Sequence, residues 1–166
     1  SSDAPESFNY AEGMLRTPYR AFRLVAIAEA ITWTLLIAAL ILRAVAGWDL
    51  ATTVAGSIHG FVFLSYGATA ILVSLNSRWP VGPTVLAVVS AVIPYATIPV
   101  ERWLHRKGLL DGAWRTQEPD AGERRWYDGL LRWFLLRPWA LIALIAAAVV
   151  ALFVALLIIG PPGGRH

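Results

Sequence analysis

The 166-residue chain has no cysteine, which excludes a disulfide framework, a thiolate nucleophile and any cysteine-ligated metal. Charge is scarce: 15% of residues are Asp, Glu, Lys or Arg, against about 25% in a soluble domain. A Walker loop, a nucleophile elbow, an HExxH helix and a dinucleotide fingerprint are all missing. Ser57 and Ser90 lie in apolar runs with no base beside them. His59 has no second His, Cys or carboxylate at ligand spacing, and His105 and His166 fall outside the apolar runs. No metal, haem or other cofactor is therefore expected, and neither is a catalytic residue or an enzyme.

Apolar surface is what the chain has in excess. Hydrophobic residues make up 57%, and mean hydropathy is +0.58. They fall in blocks and not at core periodicity, which points to one membrane domain with no room for a second core. A net charge of +3 and a pI near 9.7 are compatible with nucleic-acid binding. The basic residues, however, flank the apolar blocks, where membrane proteins carry them, so nucleic acid is not an expected partner.

Taken in order, residues 1–21 read as a polar, interfacial segment. Phe8, Tyr10, Met14, Leu15 and Tyr19 would lie at the interface, with Arg16, Arg20 and Arg23 reaching for lipid phosphate. A first span covers Phe22–Leu42, longer than the roughly 7–15 residues of a signal-peptide core. It ends at Arg43 and a Gly47-Trp48-Asp49 turn. A second span covers Thr52–Leu75 and closes at Asn76–Pro80, with Trp79 in the closing turn. A third covers Val81–Val100, interrupted by Pro94 and Pro99, each of which removes a backbone donor and should kink the helix. Residues 108–122 read as a surface loop. From 123 to 137, Trp126, Leu130, Trp133, Phe134 and Arg137 share one helical side, the pattern of an interfacial amphipathic helix; the alternative is a charged extension of the last span. Trp139–Ile159 is long enough for a fourth crossing, followed by a tail over 161–166. The expected fold is an all-α membrane protein with four transmembrane helices. Three form a core over 22–107, and the fourth, over 139–160, is added. Trp48, Trp79, Trp103, Trp126, Trp133 and Trp139 are the expected interface anchors.

Four crossings would put nine basic residues, Arg43 and those from Arg102 to Arg137, on one side and Arg16, Arg20, Arg23, Arg78 and Arg165 on the other. The positive-inside rule then favours a cytoplasmic loop and non-cytoplasmic termini, whereas the first helix alone argues the reverse. A third span re-entrant at Pro94 would bring both basic clusters to one side.

Inside the spans, Gly56, His59, Gly60, Phe63, Tyr66, Gly67 and Ala70 fall on one helical face. The glycines suit close helix packing, within the chain or with another subunit. Glu29 and His59 are intramembrane ionisable groups and candidate functional sites by that fact alone; the bland readings are a register-fixing carboxyl and a satisfied packing histidine. Matching the span centres puts the two groups roughly 12 Å apart in depth. On that arithmetic Glu29 lies level with Tyr66 and Thr69, and His59 level with Pro94 and Tyr95, where loosened carbonyls can accept its N–H.

Three pieces carry a family resemblance: Phe22–Ala30 (FRLVAIAEA), Ser57-Ile58-His59-Gly60, and Ile93–Thr97 (IPYAT) leading to Glu101–Leu104. Together they resemble a three-helix bacterial membrane domain of unknown function, frequent in actinobacteria, over about Phe22–Arg106. The resemblance implies a fold and no activity. The expected role is a non-catalytic accessory subunit or scaffold of the bacterial plasma membrane, in a respiratory or envelope complex. Its partners would be the lipid bilayer and other membrane proteins or further copies. The alternative is a small oligomeric transporter or proton conductor using Glu29 and His59.

Overall fold

The structure, a computed structural model, describes residues 16–116, 122 and 124–159. The expectations for Phe8, Tyr10, Met14, Leu15, Glu123, residues 117–121 and the 161–166 tail lie outside the described residues. Among those described there are six helices and no strands: α1 (Pro18–Ala46), α2 (Asp49–Asn76), α3 (Val81–Ser90), α4 (Thr97–Arg106), α5 (Asp128–Leu136) and α6 (Pro138–Ile159).

Three of them, α1, α2 and α6, are long and apolar enough to cross a membrane. α1 begins on a capping Thr17, whose Oγ1 accepts from Arg20 N at 3.2 Å, with Pro18 in the first turn. It stops at Gly47, whose φ of 66° suits a residue without Cβ. The Arg43 Nε–Asp49 Oδ1 pair at 3.0 Å closes the turn into α2, so α1 and α2 form a tight antiparallel hairpin.

The expected third span is not a single helix. Val81–Val100 divides into α3, which is apolar but has only 10 residues, and the start of α4. Between them Ala96 N bonds Ile93 O at 3.2 Å, and Tyr95 takes a φ of 66°. Proline followed by a positive φ is the signature of a type II turn. Pro94 thus reverses the chain where a kink was expected. α4 returns to the end from which α3 departed: Thr97 Oγ1 donates to Ala26 O at 2.9 Å deep on α1, while His105 stacks on Tyr19 near the start of α1. The third element is a helical hairpin folded back against α1 and α2, and among the described residues three helices, not the expected four, are long and apolar enough to cross a membrane.

Irregular backbone at membrane depth survives only where protein satisfies it. Here α1 and α2 supply the groups. Trp33 Nε1 donates to Ala91 O at 3.2 Å, and Tyr66 Oη donates to Ala87 O at 2.9 Å. Ser90 Oγ also bonds Ala87 O, at 2.6 Å. Thr34 Oγ1 and Tyr95 Oη meet at 2.8 Å. Thr34 lies about 24 Å along α1 at 1.5 Å per residue, so the hairpin tip reaches roughly halfway up that helix.

The core forms where the four helices meet, around Phe22, Ala26, Tyr66, Ala70, Ala87 and Leu104. Trp79 belongs to it. Expected as an interface anchor, it is buried and donates Nε1–H to Leu109 O at 2.6 Å. The segment after α4 is likewise tied down and is not a free surface loop. Asn76 bonds Ala113 O at 3.1 Å and accepts from Arg115 N at 2.7 Å, and Leu110 is buried. Arg78 meets Asp128 at 3.6 Å, which docks α5 on the same end of the bundle. Trp103 packs against the core, whereas Trp48, Trp126, Trp133 and Trp139 are exposed.

Candidate functional site, a buried Glu29–His59 pair

On α1, Glu29, Thr32 and Trp33 are three and four residues apart and share a face. On α2, His59 belongs to the buried stripe Ala55, His59, Tyr66, Ala70 and Val73. The hairpin turns these faces toward each other. Thr32 Oγ1 and His59 Nδ1 lie 3.0 Å apart, and Thr32 Oγ1 also reaches Glu29 O at 3.1 Å. Trp33 covers the imidazole from one side, ring centroids 4.6 Å apart, and Phe63 stands at 6.1 Å.

The threonine couples the tautomer to its own hydroxyl: with the hydroxyl hydrogen on Nδ1, the imidazole carries its proton on Nε2. A hydroxyl has one hydrogen, and with that hydrogen on the Glu29 carbonyl, Oγ1 is left as acceptor for Nδ1–H. Nε2 faces Glu29 Oε1 at 4.0 Å. The Glu29 side chain is fully buried, and neither carboxyl oxygen has a well-formed hydrogen bond. Two net-neutral states fit this geometry: a carboxylic acid beside a neutral imidazole, or a carboxylate beside an imidazolium. They differ by one proton crossing a 4.0 Å gap.

This meeting corrects the depth argument, which kept Glu29 and His59 apart. The observed cross-pairs are Thr52 Oγ1 with Ala39 O, Thr32 with His59, and Phe22 with Tyr66. They set the register about one helical turn away from the match of span centres. The partners expected at Tyr66 and Tyr95 differ accordingly. Tyr66 bonds Ala87 and Ser90 on α3, Tyr95 bonds Thr34, and Thr69 bonds Ser65 within its own helix. His59 takes Thr32 and not the Pro94–Tyr95 turn, and Pro99 lies in the first turn of α4. Thr32, Trp33 and Thr97 were overlooked as site residues; the first two were marked only by their i+3 and i+4 spacing from Glu29.

Of the two readings of the glycine stripe, packing within the chain finds no support here. A Cβ added at Gly56, Gly60 or Gly67 would meet nothing within 4 Å. Among the described residues, none uses the close approach these glycines permit. Among the described residues, no group of three or more His, Cys, Asp or Glu is placed to hold a metal ion.

The comparisons agree with a membrane protein and add no activity. A protein of Streptomyces coelicolor, named only as a membrane protein, is 36% identical over 112 residues. That alignment covers 66% of this chain but 13% of the Streptomyces protein, so this chain spans a small part of that relative. An uncharacterized membrane protein of Bacillus subtilis is 28% identical over 92 residues, 55% of this chain and 96% of its own length. No solved structure matches significantly. A family model does match, from Tyr19 near the start of α1 to Arg106 at the end of α4. Those limits enclose the hairpin, the re-entrant pair and both buried ionisable groups: the chain belongs to the family described as a domain of unknown function, DUF3817.

Proposed function

We propose that this is a multi-pass protein of the bacterial plasma membrane that packs without catalysis against other membrane proteins, as an accessory subunit or scaffold. One observation carries the reading: α6 has 22 residues, and Ile145 alone is buried. Its Ala147, Val150, Ala151 and Val154 line an open apolar surface, and small residues are what membrane helices use to approach one another. α6 also lies beyond the matched family region, which makes it an addition to a core already complete. Every described Lys and Arg except Arg43 lies on segments at the end of the bundle that holds Pro18. The positive-inside rule makes that end cytoplasmic.

The test is purification from native membranes in mild detergent. The chain is expected in a discrete larger assembly, and Ala147→Leu with Ala151→Leu is expected to release it. Elution of the wild-type chain alone would contradict the proposal.

A second reading rests on the Glu29–His59 pair, which the fold brings together at 4.0 Å. In that reading the pair takes up and passes a proton. Proteoliposomes would show proton flux that His59→Ala and Glu29→Gln abolish; equal flux from all three proteins would discard it.

A further inference from the structure

The geometry points to a binding site for the phosphate headgroup of an anionic phospholipid, in the cleft between the start of α1 and the last turns of α4. The cleft is about 530 Å³, within the roughly 300–1,000 Å³ usual for small-molecule sites. Its α1 wall is Tyr19 and Arg23, one helical turn apart, with Arg23 Nη1 donating to Tyr19 Oη at 3.0 Å. Its α4 wall carries Arg102 and Arg106, again at i and i+4. Tyr19 and His105 stack across the two walls at 4.3 Å, which fixes their separation.

Three guanidiniums therefore surround one space. No ion pair is found for Arg23, Arg102 or Arg106 among the described residues. Arg23 commits one of its five N–H donors to Tyr19, leaving four. Glu101 is the one acidic residue in the lining. Against three arginines it leaves a net charge of +2 before any contribution from His105. A guanidinium binds phosphate through paired N–H donors, and the cleft offers such donors from two helices.

Depth separates a lipid from a free anion. α4 begins deep, where Thr97 bonds Ala26, and rises to Arg106. The inner end of the cleft is Ile98 and Pro99, and the outer end is Arg102 and Arg106. Apolar below and cationic above is the order of acyl chain and headgroup in a bilayer leaflet. A free phosphate has no use for the apolar end.

The experiment is native mass spectrometry of the purified full chain in mild detergent, titrated with phosphatidylglycerol, phosphatidylcholine or inorganic phosphate. Phosphatidylglycerol should be held about tenfold more tightly than phosphatidylcholine, and Arg102→Gln with Arg106→Gln should erase the difference. Arg124→Gln with Arg125→Gln removes equal charge outside the cleft and should leave it intact. Arg23→Gln, on the opposite wall, should weaken binding severalfold and carries the test if the α4 double variant does not fold. Equal retention of the two lipids, equal loss from the Arg124/Arg125 control, or unchanged binding by Arg23→Gln would overturn the site. Displacement of the lipid by millimolar inorganic phosphate would overturn its assignment to a lipid.

Discussion

The two parts of this molecule answer the same solvent differently. The α1–α4 unit buries Glu29, Thr32, His59, Ser90 and Thr97 and breaks its own backbone at Pro94–Tyr95. α6 is an unbroken apolar helix with no charged, hydroxyl or amide side chain, and its sides are left open. In lipid the greasiness of a helix does not make it pack; interhelical fit and hydrogen bonds do. The polar side chains of α1–α4 therefore mark where the chain ties itself together by hydrogen bonds; α6 rests on α2 by apolar contact alone and buries only Ile145.

The sharpest test of that contrast is a pair of truncations. Phe22→Ala empties a fully buried site packed on Tyr66 and Trp79 and should cost about 3–5 kcal/mol, read as unfolding free energy in detergent. Phe153→Ala on α6, at an exposed site, should change stability by no more than about 0.5 kcal/mol. Equal losses would mean that α6 is as integral to the core as α1.

Next in size is the buried pair. His59→Ala leaves Thr32 without its ring partner and removes the group facing Glu29, and should cost about 1–3 kcal/mol. In a double-mutant cycle with Glu29→Gln, the two losses should be non-additive by about 1 kcal/mol or more. Additive losses would mean that the 4.0 Å approach carries no coupling.

Smaller effects belong to the re-entrant turn. Thr97→Val removes the bond to Ala26 O and should cost about 1 kcal/mol. Tyr95→Gly relieves a left-handed residue, worth about 1–2 kcal/mol, but forfeits the Thr34 bond, worth about 1 kcal/mol. Its net effect should lie near zero. Tyr95→Phe keeps the backbone cost and should be the less stable of the two. If Tyr95→Gly proves the worse variant, the turn is not strained as described.

The long apolar runs make α1, α2 and α6 legible in the sequence, because length and hydropathy alone decide them. Pro94 was legible as an interruption, and both a kink and a reversal there were open from sequence; which of the two held was not legible. Whether a membrane helix kinks or reverses at proline depends on who satisfies the freed carbonyls, and here Trp33 and Tyr66 come from other helices. The meeting of Glu29 and His59 was hidden for a related reason. Sequence gives the ends of two helices, while their register is set by Phe22 on Tyr66 and Thr52 on Ala39. Trp79 misled because a tryptophan beside a proline at the end of an apolar run looks interfacial until Leu109 supplies an acceptor for its indole. The glycines at 56, 60 and 67 carry a packing signal, but no described residue comes within 4 Å of a Cβ built there.

The central claim is that α3 and α4 enter and leave on the same side. The natural absence of cysteine lets single replacements report that directly with a membrane-impermeant maleimide in sealed vesicles. Cysteine would be placed by Arg20→Cys, Trp48→Cys and Lys107→Cys in separate chains. A re-entrant hairpin predicts that the Lys107 position reacts from the same side as Arg20 and opposite to Trp48. Reaction of Lys107→Cys from the Trp48 side would contradict it and restore a third full crossing.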